Sequence, residues 1–137
     1  MKKAMATLLA VVMIAAVMSA SFAAAAVSTT HATDQQPTQI TITSYPKQAK
    51  VGQDVTVIGQ LTSGGNSLGG KLIYFDQWDA TDHKWYYYYN MTTDPDGSFN
   101  DTGAWKNPGT FTYRYEFWGD DQYAFSASQQ LVITVTQ

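Results

Sequence analysis

Residues 92–123 read TTDPDGSFNDTGAWKNPGTFTYRYEFWGDDQY, and this stretch carries the clearest strand signal in the chain. Asp96-Gly97 and Pro108-Gly109 are turn pairs, because glycine accepts the positive φ that tight turns require and proline cannot continue a regular strand. After the second turn, aromatic and polar residues alternate with a period of two. One face would carry Phe111, Tyr113, Tyr115 and Phe117, and the other Thr112, Arg114 and Glu116. The stretch therefore predicts turn, strand, loop, strand and turn.

The same reasoning, applied outward from this stretch, predicts seven strands and no helix beyond the amino-terminal segment. They lie at 39–45, 54–61, 71–78, 85–91, from residue 99, at 110–117 and at 130–136. Residues 71–78 are apolar on both faces, which is typical of a central strand. The glycine-rich segment 62–70 lacks the lysine of a phosphate-binding loop and is interpreted as a turn. Short strands separated by turn signals predict an all-β fold of two antiparallel sheets packed face to face.

Residues 1–26 have the three parts of a secretory signal peptide. Lys2 and Lys3 precede an apolar run, which ends in small residues with Ala-Xaa-Ala cleavage signals. The alternative is a retained membrane helix, since the run is long enough for one. No second apolar segment follows, so we expect no membrane span in the mature chain. Residues 27–38 are polar and without periodicity, which predicts a flexible linker before a domain at 39–137.

The charge balance and the absence of cysteine narrow the classes of partner and of fold. Removal of Lys2 and Lys3 leaves six basic against 11 acidic residues, a net charge of −5. Such a surface argues against nucleic acid and anionic lipid as partners. Without cysteine, the domain must be held together by its core and not by disulfides. The predicted location is secreted, extracellular or at the cell surface.

Several motifs, in their order and spacing, resemble the bacterial and archaeal Ig-like (Big-type) repeat domains of secreted and cell-surface proteins. The motifs are VGQDVTVIGQL, GGKLIYFDQW, TTDPDGSFN, NPGTFTYRYEFWGDDQYAFSAS and LVITVTQ, with Trp85 alone after a polar turn. The resemblance implies an Ig-like β-sandwich that acts as a spacer, stalk or adhesive module, with no shared catalytic residue and no obligatory cofactor. This chain departs from the family because it holds a single copy and has four tyrosines where the family is usually polar and β-branched.

The aromatic strand at 85–91 is the candidate binding site. A strand in a two-sheet sandwich buries one face, so either Trp85, Tyr87 and Tyr89 or Tyr86 and Tyr88 should lie on the surface. Exposed tyrosines can stack on sugar rings or contact another protein. The alternative is that tyrosine is present only because it is a good strand former. The expected partner is an extracellular glycan or a surface protein.

Two other sets of residues are of the types that bind metals or take part in catalysis. Turns expected at one end of the sandwich carry four carboxylates, which are about half of the ligands that calcium requires. Aspartate in turns ordinarily bonds its own backbone, so we expect no cofactor, with calcium as the alternative. His83 follows Asp82 without a serine or cysteine nucleophile motif, and we expect no enzymatic activity. The calcium candidates are Asp94, Asp96, Asp120 and Asp121.

The sequence thus predicts a non-enzymatic, secreted or cell-surface Ig-like module that binds a carbohydrate or protein ligand through exposed aromatic residues. The alternative is a purely structural or spacer module, without a small ligand, that associates with copies of itself or with larger envelope proteins. Self-association would require an exposed edge strand, whereas ligand binding would require two or three coplanar exposed rings.

Overall fold

The computed structural model describes residues 34–137, which form ten β-strands and no helix. Each of the seven predicted strands is present, and three further strands have only two or three residues, too few for an alternating pattern to reveal. The strands are β1 (Gln39–Ser44), β2 (Gln48–Lys50), β3 (Val55–Ser63), β4 (Asn66–Ser67), β5 (Leu72–Asp79), β6 (Lys84–Thr92), β7 (Ser98–Gly103), β8 (Gly109–Phe117), β9 (Ser126–Ala127) and β10 (Leu131–Thr136).

The strands form two sheets of unequal width. In the narrow sheet, β3 lies at the centre, with β1 on one side and both β7 and β4 on the other. The wide sheet has the order β2-β10-β8-β5-β6. The short strand β9 pairs with the last two residues of β8, after the part of β8 that pairs with β10. These strand pairs are antiparallel except that β2 runs parallel to β10. In immunoglobulin lettering, A-B-E faces G-F-C-C′, which confirms the predicted all-β, Ig-like β-sandwich.

One apolar core lies between the two sheets. Alternate residues of β3 and β10 point inward, as the period-two pattern predicts, and the outward residues between them are exposed or partly exposed. Gly59 pairs with Phe99 across β3 and β7, and the Phe99 ring covers the space where a side chain at Gly59 would lie. The largest fully buried side chains are Tyr115, Phe99, Leu61, Ile73, Leu131 and Ile133.

Three loops meet at one end of the sandwich. The Gly70 amide donates to the Thr93 carbonyl at 2.9 Å, which holds the glycine-rich segment against the turn that precedes β7. The Lys71 ammonium lies 2.5 Å from an Asp120 carboxylate oxygen, which adds the loop between β8 and β9. The glycine-rich segment therefore lies at the same end of the sandwich as the two turns that carry the four aspartates.

Residues 36–38, inside the segment predicted as a linker, form hydrogen bonds to the sandwich. The Gln36 amide donates to Gln122 O at 2.8 Å, and the Ala124 amide donates to Gln36 O at 2.9 Å. Thr38 Oγ1 also donates to Ala124 O at 2.8 Å. Residues 36–38 thus bond to the sandwich ahead of the predicted boundary at residue 39. The predicted signal peptide at 1–26 and the linker residues 27–33 lie outside the described residues.

Candidate functional site

The strand β6 lies at the edge of the wide sheet, and its four consecutive tyrosines are all exposed. The exposed fractions are 45% for Tyr86, 50% for Tyr87, 57% for Tyr88 and 40% for Tyr89. The expectation that only one face of this strand would be on the surface is wrong. An edge strand has a neighbour on one side only, and here the narrow sheet does not reach far enough to cover it.

A β-bulge in β6 also breaks the predicted alternation of its side chains. Asp76 pairs with Tyr87 and Phe75 pairs with Tyr89, so Tyr88 is an extra residue without a partner in the ladder. As a result, Tyr88 and Tyr89 both line the space between the sheets, while Tyr87 lies against the outer surface of the wide sheet. The position of a one-residue bulge cannot be recognised from the sequence when every neighbouring residue is aromatic, as in WYYYY.

The first candidate site is an aromatic surface on the outside of the wide sheet, which we name the outer aromatic face. The Tyr74 and Trp118 rings stack with centroids 3.7 Å apart and an interplanar angle of 4°. Tyr87 leans against both, at 5.8 Å from Tyr74 and 6.2 Å from Trp118. Trp78 and Trp85 continue the surface with centroids 5.3 Å apart. The outer aromatic face thus consists of Tyr74, Trp78, Trp85, Tyr87 and Trp118.

A network of charges lies beside these rings. Arg114 approaches Glu116 at 2.6 Å and Asp76 at 3.4 Å, and its guanidinium lies 4.2 Å from the centroid of the Trp85 ring. The Trp118 indole donates to Glu116 Oε2 at 3.0 Å. The predicted placement of Arg114 and Glu116 on one face is therefore correct. The network holds Trp85 and Trp118 in place and so preorganises the surface.

A shallow depression of about 270 Å³ adjoins Tyr74 and Trp118 and contains polar groups. It is lined on its polar side by Lys71 and Asp120, which form an ion pair. The hydrogen bond from Lys71, together with those from the Gln122 and Tyr123 amides, holds the pKa of Asp120 below its usual value. An aromatic surface with a flanking ion pair can contact both apolar and hydroxyl-bearing parts of a ligand.

The second candidate site is the opening between the two sheets beside β6 and β7, which we name the intersheet groove. Its volume is about 260 Å³, and Asp101 is the charged residue in its lining. Asp101 pairs in register with the buried Val57, so its side chain points between the sheets. Six aromatic residues also line the groove, together with aliphatic residues of β3 and β10; the aromatic residues are Phe75, Tyr88, Tyr89, Trp105, Tyr113 and Tyr115.

Two tyrosine hydroxyls orient the Asp101 carboxylate. Tyr89 Oη donates to Asp101 Oδ2 at 2.7 Å, and Tyr115 Oη donates to the same oxygen at 2.8 Å. Burial, and secondly the nearby carboxylate, raises the pKa of both phenols. Burial raises the pKa of Tyr113, whose hydroxyl accepts a hydrogen bond from the Trp105 indole, to about 12. These phenols therefore stay neutral at physiological pH and act as fixed dipoles.

Two of the four acidic residues proposed as calcium ligands, Asp96 and Asp120, form hydrogen bonds to groups of the protein. Asp96 accepts hydrogen bonds from the backbone and side chain of Ser98, and Asp120 accepts from two backbone amides as well as from Lys71. Within residues 34–137, no three side chains of the metal-binding types converge. The other two predicted ligands are Asp94 and Asp121. Among the described residues, no hydrogen bond links their side chains to Asp96 or Asp120.

The predicted site residues thus divide between the two sites. Trp85 and Tyr87 belong to the outer aromatic face, Tyr88 and Tyr89 line the groove, and Tyr86 bonds to Asp82 in the adjoining turn. The sequence reasoning missed the remaining contributors, which come from other strands. The period-two pattern of β7 could have found one of them, because a buried Phe99 requires that Asp101 also point inward. The missed contributors include Tyr74, Phe75, Asp76, Asp101 and Tyr113.

Comparisons with known proteins add little to the strand pairing described above. No family model matches the chain, and no curated protein matches it. Among solved structures, it is similar to the "D00-D0 domain of Intimin" at 12% identity and a TM-score of 0.49, over 74% of this chain and 48% of that one. It is also similar to β-glucosidase from Listeria innocua in complex with glucose, at 11% identity and a TM-score of 0.43, over 73% of this chain and 16% of that one.

The chain thus spans about half of the Intimin chain and about a sixth of the glucosidase. Likenesses this distant carry no argument about function, and the hydrogen-bonded strand order alone establishes the fold. Within the described residues, no helix has the length and apolar character that a membrane crossing requires. Membership of the bacterial and archaeal Ig-like repeat family stays a prediction.

Proposed function

We propose that the protein is a non-enzymatic, secreted or cell-surface Ig-like module that binds a carbohydrate through the outer aromatic face. The observation that carries the proposal is a contiguous aromatic surface beside the Lys71–Asp120 ion pair, in which the exposed Tyr87 and Trp118 pack against the half-buried Tyr74. Export is supported by the signal-peptide pattern at residues 1–26.

Sugars fit this surface for a physical reason. One face of a pyranose ring presents C–H groups, which pack on an aromatic ring, while its hydroxyls require donors and acceptors at the rim. Trp118 is 54% exposed, and its ring stacks in parallel on the Tyr74 ring. Lys71 and Asp120 supply charged donors and acceptors at one side of the stack. Because the rings are already fixed, little conformational entropy is lost on binding.

The proposal of a non-enzymatic role is supported by the local contacts of the residues that could take part in catalysis. His83 packs near Trp78, with ring centroids 6.2 Å apart, and Asp82 accepts a hydrogen bond from Tyr86. Neither contact resembles the pairing of a base with a nucleophile that acyl transfer requires. Arg114 lies within ion-pair distance of both the Asp76 and the Glu116 carboxylates, which gives these two acidic side chains a structural role beside Trp85 and Trp118.

The carbohydrate proposal is tested by titrating the intrinsic fluorescence of the purified protein with a panel of cell-wall and plant polysaccharides. We expect a saturable change with at least one glycan, weakened about tenfold or more in a Tyr87→Ala/Trp118→Ala variant. Tyr88→Ala is the matched control, since it removes the same side chain from the same strand but on the groove side, and it should bind normally. No saturable change with any glycan, or equal weakening in the control, would contradict the proposal.

A second candidate function is self-association, and one observation favours it. The nine-residue strand β6 has a single sheet neighbour, β5, so its other backbone edge has no strand partner within the described residues. Long edge strands with apolar side chains are templates for pairing with another chain. Two copies of β6 paired antiparallel about Tyr88 would bring tyrosines together and place no like charges opposite one another.

A further inference from the structure

We propose that the intersheet groove binds a small organic cation, of the methylated ammonium class, with Asp101 as its counter-charge. This inference concerns the opposite face of β6 from the proposed carbohydrate surface and does not depend on it. Its basis is the combination of an aromatic lining, a carboxylate directed into the space between the sheets and a small volume.

Aromatic rings in contact with one another line one side of the groove. Phe75 stacks on Tyr89 with centroids 4.8 Å apart and on Tyr113 at 4.9 Å. Trp105 closes the side formed by the loop between β7 and β8, with its ring 5.9 Å from Tyr113. Tyr88, placed here by the bulge, lines the mouth. Aromatic faces carry negative electrostatic potential, so a site with several rings attracts positive charge.

Asp101 adds a full negative charge without a basic partner. The three ion pairs among residues 34–137 join Lys71 to Asp120 and Arg114 to Asp76 and Glu116, and none includes Asp101. The groove lining contains no lysine, arginine or histidine. The two tyrosine hydroxyls on Oδ2 fix the orientation of the carboxylate but do not neutralise it. A partly buried carboxylate without a countercharge is costly, and a bound cation would offset that cost.

The chemistry of the groove selects among possible cations. A metal ion requires several oxygen ligands, and no group of three metal-binding side chains occurs in the described part of the chain. A primary ammonium is strongly hydrated and would lose its water against the rings. A methylated ammonium spreads its charge over apolar methyl groups, which match both the rings and the carboxylate. A volume of about 260 Å³ suits a small head group.

The test compares choline and tetramethylammonium with 3,3-dimethylbutan-1-ol, the uncharged analogue of choline in which carbon replaces nitrogen. Binding to the purified protein is measured by calorimetry and by tryptophan fluorescence, at constant ionic strength. We expect saturable binding of both cations and binding of the neutral analogue at least about tenfold weaker. No saturable binding of either cation, or equal binding of the neutral analogue, would overturn the proposal.

Three variants identify the site. Asp101→Asn keeps an oxygen that accepts the tyrosine hydroxyls and removes the charge, so it should weaken choline binding about tenfold or more while the fold is retained. Tyr88→Ala removes an exposed ring that the core does not need, and it tests the groove if Asp101→Asn fails to fold. Tyr87→Ala, on the outer aromatic face, should leave choline binding unchanged. Normal choline binding by Asp101→Asn, or by Tyr88→Ala where that variant alone folds, would overturn the assignment.

Discussion

Gly59 and Phe99 show how the absence of one side chain organises the core. Phe99 is 1% exposed and lies across Gly59 on the neighbouring strand, so the ring occupies the space that a Cβ would need. Phe99 also meets the Tyr115 ring at 5.1 Å, which links the narrow sheet to the wide one. A glycine in the middle of a strand ordinarily weakens it, and here its value is the close approach that it permits.

We predict that Gly59→Ala destabilises the domain by about 2 kcal/mol, because neither the buried ring nor the β3 backbone can move aside without strain. This corresponds to a fall in Tm of roughly 10 °C for a domain of about 100 residues, measurable by thermal unfolding. Gly103→Ala is the matched control on β7, since a Cβ there would meet no atom within 4 Å. Equal Tm values for the two variants would refute the role of Phe99.

Individual side chains were the least predictable part of the candidate sites. The sequence identifies Trp85 and the tyrosines at 86–89 as site candidates, because an aromatic run is visible without knowledge of the fold. It does not reveal that Asp101 stands beside them, since contacts between residues of different sheets depend on how the sheets are stacked. Only the inward direction of Asp101 could have been inferred, from its spacing of two from Phe99.

At the scale of elements, β6 differs most from its prediction. Its extent was found from the sequence to within a residue at each end, but its position at the edge was not, because edge and central strands of aromatic residues look alike. The bulge at Tyr88 then divides its tyrosines between two surfaces. One strand thereby contributes to both the outer aromatic face and the intersheet groove.

The exposed edge of β6 leads to a prediction about association. We expect the purified protein to form dimers as its concentration rises, detected by sedimentation velocity, because the unpaired edge can extend the sheet into a second copy. Tyr86→Lys/Tyr88→Lys should keep the protein monomeric by placing like charges on the paired edges. Val132→Lys, at an exposed position on the interior strand β10, should associate as the unaltered protein does. A monomer at all concentrations would exclude pairing through β6.

At the scale of the whole molecule, the sandwich was predictable because turn signals and period-two alternation report on strands directly. The strand order and the unequal widths of the sheets were not, since they depend on which strands pair across long stretches of sequence. The three shortest strands fall below the length at which alternation can be recognised. The groove is a product of the unequal widths, and it could not have been anticipated.

The tyrosines of the groove predict how the domain responds to alkali. The folded-state pKa of Tyr113 is raised by burial to about 12, and the pKa values of Tyr89 and Tyr115 are also raised. Their contribution to stability is complete below the pKa of about 10 of tyrosine in the unfolded chain, and it is lost as the pH rises through the folded-state values.

We therefore expect the domain to unfold cooperatively above about pH 10, with the last tyrosines ionising together with that transition. Tyrosinate absorbance and circular dichroism, recorded in parallel during an alkaline titration, measure the two events. Complete ionisation while the native circular dichroism persists would contradict the assignment of buried phenols. The Tyr113→Phe variant should lose less stability between neutral and alkaline pH than the unaltered protein does, because one ionisable group is removed.

The parallel pairing of β2 with β10 bears on how the domain carries mechanical load. Val135 pairs with Ala49 in this short ladder, and the Val51 amide adds a bond of 2.8 Å to Thr136 O. Tension applied to the chain on the two sides of the domain pulls β2 and β10 in opposite directions along their axes. Their hydrogen bonds are then strained together, in shear, and do not open one after another. Once β1 has detached, this ladder is the point at which a stretched domain resists extension.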